Sequence, residues 1–81
     1  MKSTYSEEYQ RVITALVSAR KERGVLQTAL AAKLGKPQSF VSKMENRERR
    51  IDIAEFVEIC RAIGVSPLVI MRQAGLITDG D

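Results

Sequence analysis

Between positions 38 and 50 the chain places Gln38, Ser39, Ser42, Lys43, Asn46, Arg47, Arg49 and Arg50 close together. On a helix, Gln38, Ser39, Ser42, Lys43 and Asn46 share one face, and Val41 and Met44, three apart, fall on the other. A Gln amide bonds bidentately to adenine N6 and N7, and a Lys ammonium donates to guanine O6 and N7. Ser39 is shorter and suits several bases, and Ser42 can meet base or backbone. Arginine's planar fork matches phosphate oxygens and is easier to dehydrate than an ammonium. The chemistry within reach is recognition of duplex nucleic acid, bases from one helix face and phosphates from the cations beside it. The bland alternative is a solvated polar face, but a stripe this uniform exceeds what solubility needs.

Other chemistries are poorly supplied. The chain has no histidine, so a Ser-His-Asp or Cys-His arrangement cannot be built, nor a zinc site of Cys and His. The carboxylates Glu7, Glu8, Glu55 and Glu58 fall at helix starts or on solvent faces, where capping and solubility explain them. No enzyme activity and no cofactor are expected. Cys60 is the single cysteine, so no internal disulfide forms. It sits on an apolar stripe and reads as a small buried hydrophobe.

The bulk numbers agree. Eighty-one residues make one small domain with a modest core, and 44% apolar content is enough to argue against disorder. Aromatics are few, which leaves Leu, Ile, Val, Ala and Met to build the core and favours packed helices. The stretch from Lys33 to Arg50 holds six bases and two acids, leaving +4 there and −1 over the rest. A cationic patch on a near-neutral body suits a polyanion. The N-terminus lacks the apolar run of a signal peptide, and no apolar stretch is long enough to span a bilayer. The chain is expected to be cytoplasmic, with no membrane partner.

Punctuation along the chain predicts five helices. Ser6 with Glu7 and Glu8 opens the first, about 6–23, with Gly24 as its stop. The second spans about 27–34, buries Leu30, Ala31 and Leu34, and ends at Gly35, whose freedom to adopt positive φ suits a sharp reversal. Pro37 fits the first turn of the third helix, about 37–46. Phe40 falls between its two faces, as a rim packing residue. Asp52 with Glu55 predicts a capping box for the fourth, about 52–63, whose apolar stripe is Ile53, Phe56, Val57, Cys60 and Ile63. Ser66-Pro67 opens the fifth, about 66–74, stopped by Gly75, and a frayed tail follows at 78–81. No linker or repeat divides residues 1–81, which read as one domain of all-α class.

These residues resemble the Cro/C1-type, or XRE-family, helix-turn-helix regulators. The resemblance covers roughly Leu16 to Val65 and rests on Gly24, Gln27, Leu30-Ala31, Leu34-Gly35, Gln38-Ser39, Val41, Met44-Glu45 and Ala62-Ile63-Gly64-Val65. It implies a compact five-helix lambda-repressor-like DNA-binding domain, with the second and third helices as the helix-turn-helix. It implies base contacts from Gln38, Ser39, Ser42 and Lys43, since a Gln-Ser start with Lys five residues on looks like a Cro-type recognition helix. Phosphate contacts are implied for Gln27 and, in the loop after that helix, for Asn46, Arg47, Arg49 and Arg50. It also implies a structural salt bridge between Arg20 and Glu45. One departure stands out: the family usually has Thr or Ser before the Gln of the second helix, and this chain has Leu26. The missing N-cap hydroxyl costs about 1 kcal/mol.

The expected function is sequence-specific binding of double-stranded DNA by a small homodimeric transcriptional regulator. Two copies related by a two-fold axis would read inverted half-sites about 34 Å apart. Leu68, Met71, Leu76 and Ile77, near the fifth helix, offer more apolar surface than one short helix needs and are the expected dimer surface. The alternative is an antitoxin-type protein-interaction module, with a protein partner, or a restriction-modification controller that autoregulates its operon.

Overall fold

A computed structural model describes residues 6–78, which form five helices and no strand. Helix α1 (Glu7–Glu22) starts where the Ser6 hydroxyl accepts the Tyr9 N–H at 3.0 Å. Ile13, Leu16 and Ala19 recur every third position and turn inward. Helix α2 (Gln27–Leu34) buries Leu30 and Ala31, with Leu34 half-buried. Helix α3 (Gln38–Glu45) buries Phe40, Val41 and Met44. Helix α4 (Ile53–Ile63) opens with the capping box of Asp52 and Glu55, each side chain bonding the other residue's backbone N–H. Helix α5 (Pro67–Gln73) is capped by the Ser66 hydroxyl.

One apolar cluster joins all five. Ile13 and Leu16 of α1, Leu30 of α2, Val41 and Met44 of α3, Ile59 and Cys60 of α4 and Ile70 of α5 are essentially inaccessible. Each such Leu, Ile or Met contributes about 1.5–3 kcal/mol by leaving water. Helix α1 touches α3, α4 and α5, while α2 rests on α3 and α4. The pair α2–α3 is thus braced from behind and leaves the outer edge of α3 uncovered. Gly35, at φ 67, makes the reversal between them, and the Lys36 N–H donates to the Ala31 carbonyl at 3.0 Å.

Three expectations need correction. Pro37 is the N-cap of α3 (ψ 156) rather than its first helical residue, so α3 begins at Gln38. Ile53 is not part of the buried stripe of α4 but is 74% exposed, because the first turn of that helix overhangs the edge of the core. Ile59, one turn before Ile63, takes the inward place. Phe40 is no rim residue: it is 9% exposed, with Lys36 Nζ 5.2 Å and the Arg49 guanidinium 4.6 Å from its ring centre. Of the tail expected to fray at 78–81, residues 79–81 lie outside the described residues. Burial alone pushes the Cys60 thiol up to about 11, which keeps it protonated and unreactive.

Candidate nucleic-acid interface

The outer face of α3 carries Gln38, Ser39 and Lys43 exposed to solvent, with Ser42 half-buried beside them and Asn46 exposed at the C-cap. Their inward counterweights, Val41 and Met44, are held in the core, so the helix cannot roll to bury its polar side. The Ser42 hydroxyl donates to the Ser39 carbonyl at 3.4 Å, a bond long enough to be exchanged for a base or phosphate.

Behind this face runs a chain of charged and amide groups. Arg20 donates from Nε to Glu45 Oε2 at 2.6 Å and from Nη2 to Oε1 at 3.0 Å, with Nη1 on the Val25 carbonyl at 2.7 Å. The two side chains are only 9% and 8% exposed. Such a bidentate, nearly dry pair fixes the angle between α1 and the end of α3. Gln27 Nε2 donates to Glu45 Oε1 at 2.8 Å, and Gln38 Nε2 donates to Gln27 Oε1 at 2.9 Å. The half-buried Gln27 is therefore linked to α3 as well as placed at the start of α2.

The cations after α3 divide into distinct roles. Arg49 grips Glu55 with both Nη atoms, at 3.2 and 3.1 Å, and Nη1 also meets the Arg50 carbonyl at 2.9 Å. The hydrogen bonds from Arg49 and from the Asp52 backbone hold the Glu55 carboxyl below its ordinary range. Arg49, expected on phosphate, thus braces the α3–α4 loop against Phe40 and α4, while its side chain stays 42% exposed. The Arg50 guanidinium lies 5.0 Å from the Tyr9 ring centre, and the Tyr9 hydroxyl accepts the Ile51 N–H at 3.1 Å. Arg47 is exposed and, among the described residues, its side chain makes no ion pair or hydrogen bond. Its φ of 62 makes it the one non-glycine residue among those described in the left-handed region.

The Glu55 grip and the Gln27 link were not legible as a site. The capping-box pattern places Glu55 at its helix start, but nothing in the spacing says that its carboxylate also holds Arg49. The helix starts carry a second asymmetry. Side chains cap α1, α4 and α5, whereas the N-caps of α2 and α3, Leu26 and Pro37, make no side-chain cap bond. Their first N–H groups stay open to an anion.

Among the described residues no helix is long and apolar enough to cross a membrane, and no group of three His, Cys, Asp or Glu residues is placed to hold a metal. The sequence matches a helix-turn-helix family model over residues 16–70, more than half of the chain. Among solved structures, the XRE-family like protein from Pseudomonas syringae pv. tomato str. DC3000 is 47% identical. The likeness covers 84% of this chain and 83% of that one, with a TM-score of 0.80. No curated protein matches the sequence. With the helix pair, its open outer face and the family model in agreement, the chain belongs to the Cro/C1-type (XRE) helix-turn-helix family of DNA-binding regulators.

Proposed function

We propose that this chain is a sequence-specific transcriptional regulator that binds an inverted-repeat operator as a homodimer, with α3 in the major groove. The observation that carries the reading is the outward face of α3, where Gln38, Ser39 and Lys43 stand exposed on a helix anchored by Val41 and Met44. Gln38, Ser39, Ser42 and Lys43 meet base edges. Phosphates on one side are held by Gln27 and the uncapped start of α2, and on the other by Asn46, Arg47 and Arg50. Arg49 sets the loop that carries its neighbours and turns its exposed edge to a phosphate as well.

The dimer reading rests on apolar surface left open around α5. Leu68 is 56% and Leu76 37% exposed, and Met71 and Ile77 are half-buried. Met71 and Leu76 also line an apolar cleft of about 200 Å³ with Tyr9, Val12, Ile51 and Phe56, beside the protruding Ile53. A two-fold pairing across this region buries on both copies what one copy leaves wet.

Selection of bound duplexes from a random pool tests the reading. A palindromic consensus with half-sites about one helical turn apart is expected. Binding should weaken by about 0.9 log units per log unit of salt for each phosphate neutralised. A folded sample that prefers no duplex over random competitor refutes it.

A further inference from the structure

We infer that Glu45, although it sits inside the protein, sets which base Gln38 accepts, by fixing which way round the Gln38 amide lies. The inference rests on the DNA-reading role of α3 proposed above. A Gln side chain is ambiguous, because its oxygen and its NH2 can exchange places by a half-turn. Here the ambiguity is removed from one end. A carboxylate only accepts, and Glu45 is locked by two hydrogen bonds from Arg20. Gln27 must therefore turn its NH2 to Glu45, at 2.8 Å, and its oxygen away from it. That oxygen only accepts, so Gln38 must turn its NH2 to Gln27, at 2.9 Å.

The consequence at the surface is a defined pattern. Gln38 spends one N–H on Gln27 and keeps its oxygen and its second N–H. One acceptor beside one donor is the complement of adenine, whose N6 donates and whose N7 accepts. It does not match guanine, which offers two acceptors, O6 and N7, on the same edge. Gln27 keeps its own second N–H for a phosphate, so the relay and the phosphate contact are compatible. Glu45 is thus a positioning residue: it touches no nucleotide, and it acts through two amides.

Glu45→Gln separates this role from a purely structural one. The amide that replaces the carboxylate keeps its oxygen on Arg20 Nε, the shorter of the two Arg20 bonds at 2.6 Å, and sets its NH2 at the Oε1 place, where it gives up the bond from Arg20 Nη2 and donates to Gln27. The chain then runs in reverse, Gln27 donates to the Gln38 oxygen, and Gln38 shows two N–H groups outward, the complement of guanine. The experiment measures affinity for two duplexes that differ only by A or G at the base Gln38 reads. That base is identified as the one whose preference disappears in Gln38→Ala. Wild-type protein should favour adenine there by about tenfold or more, and Glu45→Gln should erase or invert the ratio. Any loss of folded protein lowers both affinities alike and leaves the ratio untouched. Gln27→Ala breaks the relay at a half-buried site that folding can spare, and should also lower the ratio. Its lost phosphate contact, again, affects both duplexes equally. An unchanged ratio in both variants overturns the inference while leaving DNA reading by α3 intact. So does a wild-type preference for guanine at that base. A wild-type protein with no preference at any base overturns the DNA-reading role and this inference with it.

Discussion

Replacing Arg47 tests stability and DNA binding in opposite directions. All five helices end in the same way. A left-handed residue follows each helix within two positions of its end, its N–H returns to one carbonyl, and the next N–H returns to the carbonyl before it. At Gly24, Gly35, Gly64 and Gly75 the left-handed residue is glycine. After α3 it is Arg47, whose N–H reaches the Met44 carbonyl at 3.0 Å while the Glu48 N–H reaches Lys43 at 2.8 Å. A side chain in that conformation costs about 1–2 kcal/mol. Arg47→Gly removes this strain but loosens the unfolded chain, at about 0.4–1 kcal/mol. The net expectation is about 0.5–1 kcal/mol of added stability, or roughly 2–8 °C in Tm for a domain of this size.

Arg47→Ala is the control that gives the experiment its force. Alanine keeps the Cβ and therefore the strain, so its Tm should stay near that of the wild type. Both variants lose the same cation, so both should bind every duplex more weakly and lower the salt slope by about 0.9. Thermal melts followed by circular dichroism, with salt-dependent binding titrations, give all four numbers. A Gly variant that melts no higher than the Ala variant refutes the strain argument. Either variant binding with wild-type affinity and slope refutes the phosphate contact.

Three further outcomes follow from the geometry. Arg20→Ala leaves Glu45 nearly buried without its cation, so a loss of about 3 kcal/mol or more is expected, visible as a Tm lower by roughly 12 °C or more; a drop of only a few degrees would mean that the pair is well solvated. Glu55→Gln should destabilise the protein at neutral pH and differ less from wild type in acid. The folded Glu55 carboxyl lies below its ordinary 4.5, so its contribution is complete above that pH and fades as pH falls through the lower folded-state value. Urea melts across that range check the sign, and a gap between the proteins that widens in acid contradicts it. Leu76→Glu should shift sedimentation toward monomer and weaken operator binding without lowering helicity, and an unchanged dimer would move the interface away from the cleft at α5.

The helices were legible because their signals are local. A Ser hydroxyl three residues from the N–H it accepts, an Asp52–Glu55 box and a glycine after a helix end act within one turn, where spacing is geometry. Even so, periodicity misjudged Ile53, because a stripe says which residues share a face and not where the core beneath them ends. The salt bridge of Arg20 with Glu45 came only from family resemblance, since 25 positions separate its partners. The links from Glu45 to Gln27 and from Arg49 to Glu55 were invisible for the same reason. Side chains that can pair are plentiful in a chain with 23 charged residues, and only packing selects among them.

The departures from local rules are the most instructive part of the sequence. Leu26 stands where a capping hydroxyl is expected, Pro37 is the N-cap of α3 and has no side chain to cap with, and Arg47 occupies a position that suits glycine. Each makes a helix end less stable than it need be. Elsewhere in the described chain the ends obey the rules, with Ser6, Asp52 and Ser66 at the starts and glycine after the stops. The three breaches all fall on the helix-turn-helix, at the two starts and the one stop that flank the exposed edge of α3. Local rules fail where a surface is shaped for something outside the chain. Open N–H groups and a strained, unpaired arginine are, among the described residues, donors without acceptors. A polyanion running past both ends of α3 supplies those acceptors at once, which a protein partner would have to match group by group.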